Sequence, residues 1–168
     1  MDYKRGSVCV TADVDVSADE FWEVLRDWPA VMKWTPADSP APLVDVTLRD
    51  GDDVDVLPCT RIMHFDRSKG FPPTFEETLL CAHIQARRII YVLKDVPGGL
   101  TNYMATTFID DLGDGKARVT CDSKFDVPMS ASLEEAEDFL QKIYERSVIR
   151  GIERAIQRWR VSPTSKTY

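Results

Sequence analysis

Six strand-like segments follow one another through the middle of the chain, and only short turn sequences separate them. The segments are 44–49, 57–65, 75–81, 88–94, 100–109 and 117–127. The stretches between them are rich in glycine, proline and aspartate, the residues that form tight turns. Connections this short cannot carry the chain across a sheet, so consecutive strands must pair antiparallel. The pattern predicts an antiparallel meander.

A strand and two short helices precede the meander. Residues 7–16 (SVCVTADVDV) alternate strictly between apolar and polar or small side chains, which is the period of a half-buried strand. Ser17 and Glu20 have the spacing of a capping box, which predicts a short amphipathic helix over 17–27. A proline then begins a second helix over 29–34, because proline is well tolerated at the first helical position.

A long amphipathic helix over 133–159 follows the meander. Ser132 and Glu135 form its capping box. One stripe holds Ala136, Leu140, Ile143, Ser147, Gly151, Ala155 and Trp159. A helix of this length can cover one face of a seven-stranded antiparallel sheet, which predicts an α+β fold with the sheet curved around it. With 168 residues the chain has the size of one domain. We expect a single domain over 1–168, ordered from about 7 to 160, with a flexible tail over 161–168.

Charge and cysteine content restrict the partners and the compartment. The chain has 21 Lys+Arg against 28 Asp+Glu, a net charge of −7, which argues against nucleic acid as a partner. No segment approaches the 18 or so apolar residues of a membrane span, and the N-terminus lacks the apolar core of a secretory signal. Cys9, Cys59, Cys81 and Cys121 form no C-x-x-C pair, so free thiols in a cytoplasmic protein are expected.

Several stretches together resemble the helix-grip superfamily, which includes Bet v 1-like and START-like proteins and the polyketide cyclase/dehydratase group. The resemblance covers about residues 7–160. Its motifs are DVSADEFWEVLRDW, VMKWTP, ETLLCAHIQARRIIYVL, NYMATTFIDDLGDGKARVTC and FDVP. Cys121 stands where many relatives carry tryptophan. The resemblance implies a cavity between sheet and helix for a small hydrophobic or amphipathic molecule, and acid–base chemistry of cyclase, dehydratase or lyase type without a cofactor.

Strand register predicts a polar row across four neighbouring strands. A turn centred near Lys69 places Arg61 opposite Glu77, and the next two turns place Tyr91 and Tyr103 in the same row. A one-residue slip would turn the row to water. Three interpretations remain open: a catalytic group facing a ligand, a structural Arg–Glu bridge, or an exposed cross-strand pair. In the first, Glu77 is a general base, a tyrosine polarises an oxygen, and Arg61 holds Glu77 or a ligand oxygen.

Small and aromatic residues predict the rest of the cavity wall. Gly151 lies between Ser147 and Ala155 on the helix stripe, so it either borders a cavity or allows close helix–sheet contact. Phe71, in the loop KGFPP, either gates the cavity mouth or packs at a hinge. The predicted ligand-binding residues are Phe71, Phe75, Leu79, Cys121, Phe125, Tyr144, Ser147 and Gly151.

No metal site is predicted, because His64 and His83 lack ligand spacing and the acidic run over 50–55 lacks the glutamate of a calcium loop. Two other functional classes compete with an enzyme. A carrier or receptor would use the same cavity without turnover. An interaction module would have a collapsed cavity and an exposed apolar patch. The sequence leaves open whether the protein is a monomer or a homodimer.

Overall fold

A seven-stranded antiparallel sheet organises the computed structural model, which describes residues 2–94 and 96–162. The strands are β1 (Tyr3–Val14), β2 (Leu43–Leu48), β3 (Cys59–Phe65), β4 (Thr74–His83), β5 (Arg88–Lys94), β6 (Thr101–Gly113) and β7 (Lys116–Pro128). Their order in the sheet is β1-β7-β6-β5-β4-β3-β2. The predicted meander is therefore confirmed, and β1 extends it by pairing with β7 along its whole length.

Two short helical segments follow β1, as predicted. Helix α1 (Ala18–Leu25) begins with the expected capping box: the Glu20 amide donates to Ser17 Oγ at 3.3 Å, and the Ser17 amide donates to the Glu20 carboxylate at 3.0 Å. The second segment is a 3₁₀ turn over Ala30–Lys33. Only one tight turn forms, because Pro36 has no amide hydrogen and disfavours a helical conformation at Thr35.

The C-terminal helix is continuous but not uniform. It consists of α2 (Leu133–Lys142), a π-helical segment (Ile143–Ile149) and α3 (Arg150–Val161). The prediction of a long helix over 133–159 is confirmed, whereas the sequence analysis did not predict the π-helical segment. Of the predicted flexible tail, residues 163–168 lie outside the described part of the chain.

The apolar core lies between the concave face of the sheet and these helices. Its largest fully buried side chains include Phe21 of α1, Phe125 of β7, and Ile149 and Ile152 of the C-terminal helix. Within residues 2–94 and 96–162, no helix combines the length and the apolar character needed to cross a membrane. The same residues contain no group of three or more His, Cys, Asp or Glu side chains placed to hold a metal ion. All four cysteines are free thiols.

Candidate ligand cavity and its polar wall

A buried ion pair between Arg61 and Glu77 lies on the concave face of the sheet. The two residues are directly opposite on β3 and β4, and each is only 7% exposed. Arg61 Nε donates to Glu77 Oε2 at 2.6 Å, and Nη2 contacts the same oxygen. Arg61 Nη1 donates to the Trp28 carbonyl at 2.7 Å, and the guanidinium lies 3.5 Å from the centroid of the Trp28 ring. Each guanidinium nitrogen therefore has an acceptor within the protein.

The rest of the predicted polar row is staggered. Glu77 lies opposite Leu93 rather than Tyr91, and Tyr91 lies opposite Ala105 rather than Tyr103. Each pairing is displaced by two residues from the predicted register. A four-residue turn and a bulge in β4 after Leu79 account for the first displacement. Because side chains alternate with a period of two, a displacement of two residues keeps the same face.

Three buried tyrosines lie between the concave face and the C-terminal helix: Tyr91 and Tyr103 on the sheet and Tyr144 on the helix. The hydroxyls of Tyr103 and Tyr144 hydrogen-bond to each other. Burial raises the pKa of Tyr91, Tyr103 and Tyr144 above the ordinary tyrosine value. These hydroxyls consequently remain protonated at neutral pH and can donate hydrogen bonds. Among the described residues, none pairs with the Tyr91 hydroxyl, and none donates to Glu77 Oε1.

A cavity of about 100 Å³ lies between these side chains and the C-terminal helix. Eight predicted site residues line it: Arg61, Phe71, Phe75, Glu77, Tyr91, Tyr103, Tyr144 and Ser147. Much of the remaining wall is apolar and includes Met63, Phe65, Leu93, Leu140 and Val148. Tyr144 and Ser147 belong to the π-helical segment, a type of helix that occurs frequently at functional sites. The volume is below the range of about 300–1,000 Å³ usual for ligand pockets.

Three other predicted ligand-binding residues lie in the packed core and not at this wall. Leu79 is 2% exposed and lies opposite Cys59. Phe125 stacks behind Tyr103, with their ring centroids 6.1 Å apart. Cys121 accepts a hydrogen bond from the Thr107 hydroxyl at 3.7 Å, and burial raises the pKa of its thiol to about 12. This thiol is therefore protonated and unreactive at neutral pH.

Gly151 contacts a loop rather than the cavity. A Cβ atom at this position would lie 2.8 Å from the Trp34 carbonyl oxygen and 3.3 Å from Pro36 Cδ. Both neighbours belong to the chain that follows α1, so the glycine allows the helix to approach this segment and not the sheet. Its outer side borders a surface groove that also includes Arg154 and Arg158.

Two cavity features were missed by the sequence analysis. Ser39 lies in the proline-rich loop, and its hydroxyl is 2.8 Å from the Ser147 hydroxyl; both side chains are buried. Trp28 covers one face of the Arg61 guanidinium. No short motif marks Ser39, because a serine between prolines is ordinary in a loop. No pattern near Trp28 indicates its contact with an arginine 33 residues later in the chain.

An aromatic partition closes one side of the cavity. Phe71 stacks on Phe65 with a centroid distance of 5.7 Å and lies 6.2 Å from Phe139 of α2. Phe71 and Phe139 are half-buried, and both also line an adjoining surface groove of about 370 Å³. Leu100 and Ala136 belong to the far side of that groove. Only side chains therefore separate the cavity from the groove.

A curved antiparallel sheet wrapped around a long C-terminal helix defines the helix-grip class of proteins. The family model described as "Polyketide cyclase / dehydrase and lipid transport" matches residues 5–164. The chain belongs to this family. The predicted superfamily is thereby confirmed.

Solved structures share the fold at low sequence identity. An uncharacterised protein from Bacillus thuringiensis is 18% identical, with a TM-score of 0.72 over 90% of this chain and 99% of that chain. Norcoclaurine synthase from Thalictrum flavum, solved with dopamine and hydroxybenzaldehyde, is 16% identical. Its TM-score is 0.68, and the match covers 95% of this chain and 88% of that chain. A protein from Thermobifida fusca is 21% identical, with a TM-score of 0.67, and the match covers 90% of this chain and 93% of that chain. No curated protein matches the sequence significantly.

Proposed function

We propose that the protein binds a small, largely apolar molecule in this cavity and performs acid–base chemistry on it with its own side chains. The reaction would be of cyclase, dehydratase or lyase type, within the range that the family description covers. One observation carries the proposal. Glu77 is a buried carboxylate whose Oε2 is held by Arg61, while Oε1 has no donor among the described residues.

In this proposal Glu77 is the general base. Its Oε1 takes a proton from a carbon next to a ligand carbonyl, and the C–H electron pair becomes the C=C bond of an enolate. The Tyr91 hydroxyl donates a hydrogen bond to the carbonyl oxygen, where the negative charge develops. Arg61 orients the carboxylate through two contacts to Oε2 and does not touch the ligand. Return of the proton at another atom of the enolate completes an isomerisation. In a cyclisation the enolate carbon attacks a second carbonyl of the ligand, whose oxygen takes the proton. In an elimination the enolate expels a β-hydroxyl group, which takes the proton and leaves as water.

A carrier without turnover is the second candidate. Phe71 and Phe139 close the cavity against the outer groove, which suits storage of an apolar molecule away from water. The family description also includes lipid transport. In a carrier, Glu77 and Arg61 would only satisfy each other and a polar group of the cargo.

We also propose the setting in which the protein works. The chain acts as one domain in the cytoplasm, as a monomer or homodimer, and does not bind nucleic acid. Its net charge of −7 and its four free thiols support this proposal.

Hydrogen–deuterium exchange separates the enzyme from the carrier. Phenylacetone in D₂O carries exchangeable protons next to its carbonyl, and their loss can be followed by NMR. The enzyme should accelerate this loss, and Glu77→Gln should slow it by about 10²–10⁴-fold, the usual contribution of a positioned base. Glu76→Gln is the matched control, because Glu76 is the adjacent residue on the opposite face of β4. Binding without accelerated exchange would identify a carrier.

A further inference from the structure

We propose that the Arg61–Glu77 pair makes the cavity selective for neutral ligands that carry a hydroxyl group, and that it excludes carboxylates. This inference rests on the proposed function, since it concerns the ligand of the same cavity. It follows from the charges of the wall, from the contacts of Arg61 and from the polar atoms that remain available.

The described wall of the cavity has no net charge. Its charged residues are Arg61 and Glu77, which neutralise each other, while its other residues are apolar, hydroxyl-bearing or aromatic. A ligand carboxylate in this space would leave water without gaining a counter-ion. Burial of an unpaired charge is among the most unfavourable events in a protein interior.

Arg61 already serves as the counter-ion of Glu77. Nε and Nη2 contact Glu77, Nη1 donates to the Trp28 carbonyl, and the Trp28 ring covers one face of the guanidinium. Turning Arg61 towards an anionic ligand would leave the Glu77 carboxylate buried without its partner. The ion pair therefore opposes anion binding even though it contains an arginine.

Two polar atoms of the wall have no hydrogen-bond partner among the described residues, and they are complementary. Glu77 Oε1 accepts a hydrogen bond, and the Tyr91 hydroxyl can donate one. A neutral hydroxyl group satisfies both, because it donates to the carboxylate and accepts from the tyrosine. The carbonyl substrate of the proposed reaction uses the same two atoms, with its oxygen at Tyr91 and its acidic C–H at Oε1. Hydrogen bonds to a charged partner are stronger than those between neutral groups, so this contact discriminates against a ligand that lacks the hydroxyl.

The volume of the cavity determines which compounds can be used as probes. About 100 Å³ is suited to a single ring, and larger ligands would have to displace Phe71 or Phe139 into the outer groove. Matched one-ring compounds therefore report on the polar wall: 4-methylphenol is neutral with a hydroxyl, toluene lacks the hydroxyl, benzoate is anionic and benzylammonium is cationic.

Titration of the isotope-labelled protein, followed by two-dimensional NMR at neutral pH, tests the inference. We expect 4-methylphenol to bind most tightly and to shift the amide signals of Trp34 and Ser147. Toluene should bind about 10-fold more weakly. Benzoate should bind at least about 100-fold more weakly. Benzylammonium should also bind more weakly than 4-methylphenol, because Arg61 already neutralises Glu77 and the wall offers no second counter-ion.

Removing one charge of the pair should reverse the selectivity. Glu77→Gln keeps an acceptor for Arg61 but gives the wall a net positive charge, so benzoate should bind at least about 10-fold more tightly than it does to the wild type. The double variant Arg61→Met/Glu77→Leu should bind toluene and 4-methylphenol alike and still exclude benzoate. If Glu77→Gln does not fold, this double variant still tests the role of the ion pair, because it has neither charge in the cavity wall. Glu76→Gln, on the outer face, should leave the whole series unchanged.

The outcomes distinguish this inference from the function on which it rests. If benzoate binds the wild type as tightly as 4-methylphenol, the selectivity is wrong while ligand binding stands. If toluene binds as tightly as 4-methylphenol, the proposed hydrogen bonds to a ligand hydroxyl are not formed. If no probe shifts the cavity signals at millimolar concentration, both the selectivity and the proposed binding function are overturned.

Discussion

Ser39 and Ser147 join the proline-rich loop to the π-helical segment through hydroxyl groups 2.8 Å apart. Both side chains are buried, at 8% and 5% exposure, beside an otherwise apolar part of the cavity wall. The Ser39 hydroxyl also accepts from the Ala41 amide at 3.3 Å. A single side-chain contact thus fixes one wall of the cavity to the helix that covers it.

Ser39→Ala should lower the free energy of unfolding by about 1–3 kcal/mol, because it leaves the Ser147 hydroxyl buried without a partner. Urea denaturation measures the change. In Ser39→Ala/Ser147→Ala both hydroxyls are gone, so the loss should be smaller than the sum of the two single losses. Strictly additive losses would show that the contact contributes nothing.

The Arg61–Glu77 pair should behave as a buried ion pair. Arg61→Met and Glu77→Leu should each cost about 3–5 kcal/mol, since each leaves a buried charge unpaired. The double variant should recover most of that loss, because neither charge remains. Thermal unfolding of the wild type, the two single variants and the double variant gives the double-mutant cycle that measures this coupling. A double variant that is as unstable as the sum of the single variants would contradict this account.

The sequence analysis predicted the fold and the shared face of the polar residues for one physical reason. Period-two alternation and short turns restrict how the strands can pair. An error of two residues in the predicted register leaves every side chain on its correct face, whereas an error of one residue would move it to the opposite face. The displacement of Tyr91 by two residues therefore changed its neighbours but not its face. The bulge after Leu79 has no local signal, since it arises from the length of the following turn and the pairing on either side.

Gly151 shows what a pattern on one helix leaves undetermined. The stripe identifies a small residue at a contact, but the contact partner comes from a loop more than a hundred residues away in sequence. Ser39 was missed for the same reason. Its role depends on Ser147 at the other end of the chain, and no local spacing encodes that approach.

Gly151→Ala should destabilise the protein although alanine is the better helix former. The gain in helix propensity is about 1 kcal/mol. The new methyl group, however, would lie 2.8 Å from the Trp34 carbonyl oxygen, and such overpacking costs about 1–3 kcal/mol. A calorimetric melting temperature below that of wild type is expected, with 4-methylphenol affinity unchanged. Arg154→Ala, exposed on the next turn, is the control. If Gly151→Ala is as stable as the wild type or more stable, the segment around Trp34 can move away from the new methyl group without loss of stability.

Glu20 should make stability depend on pH in the acid range. Hydrogen bonds from Arg160, and from the Ser17 amide and hydroxyl, lower the pKa of Glu20 from 4.5 to about 2. A lowered carboxyl pKa stabilises the folded state above the unfolded value, and this contribution disappears as the pH falls from about 4.5 to 2. The group is partly solvent-screened, so its contribution at pH 7 is about 1 kcal/mol.

Comparing the wild type with Glu20→Gln across this pH range measures that contribution. The difference in unfolding free energy should be largest above pH 5 and vanish near pH 2. Glu23→Gln is the matched control on the same helix, where an exposed pair with Arg26 contributes little. A difference between wild type and Glu20→Gln that persists unchanged at pH 2 would assign the effect to packing rather than charge.

Phe71→Ala should open the cavity to the outer groove. Its ring separates the two spaces together with Phe139, so its removal shortens the path for a ligand. Association and dissociation of 4-methylphenol should both become faster, by at least about 10-fold, as measured by NMR line shapes. Met32→Ala, an exposed residue outside both spaces, should leave both rates unchanged. Unaltered rates in Phe71→Ala would place the entrance elsewhere.

The π-helical segment sets the rotational phase of everything that follows it. A π turn holds more residues than an α turn, and one residue of an α-helix corresponds to a rotation of about 100°. Regularising this segment to an α-helix while keeping all its residues would rotate α3 by about 100° and turn it away from its present contacts. Among these is Glu153, which accepts from the Asp15 amide at 2.7 Å and fixes the end of β1. The irregular turn that carries Tyr144 and Ser147 thus also aligns α3 with the end of β1, so a change in its geometry would alter the cavity and this contact together.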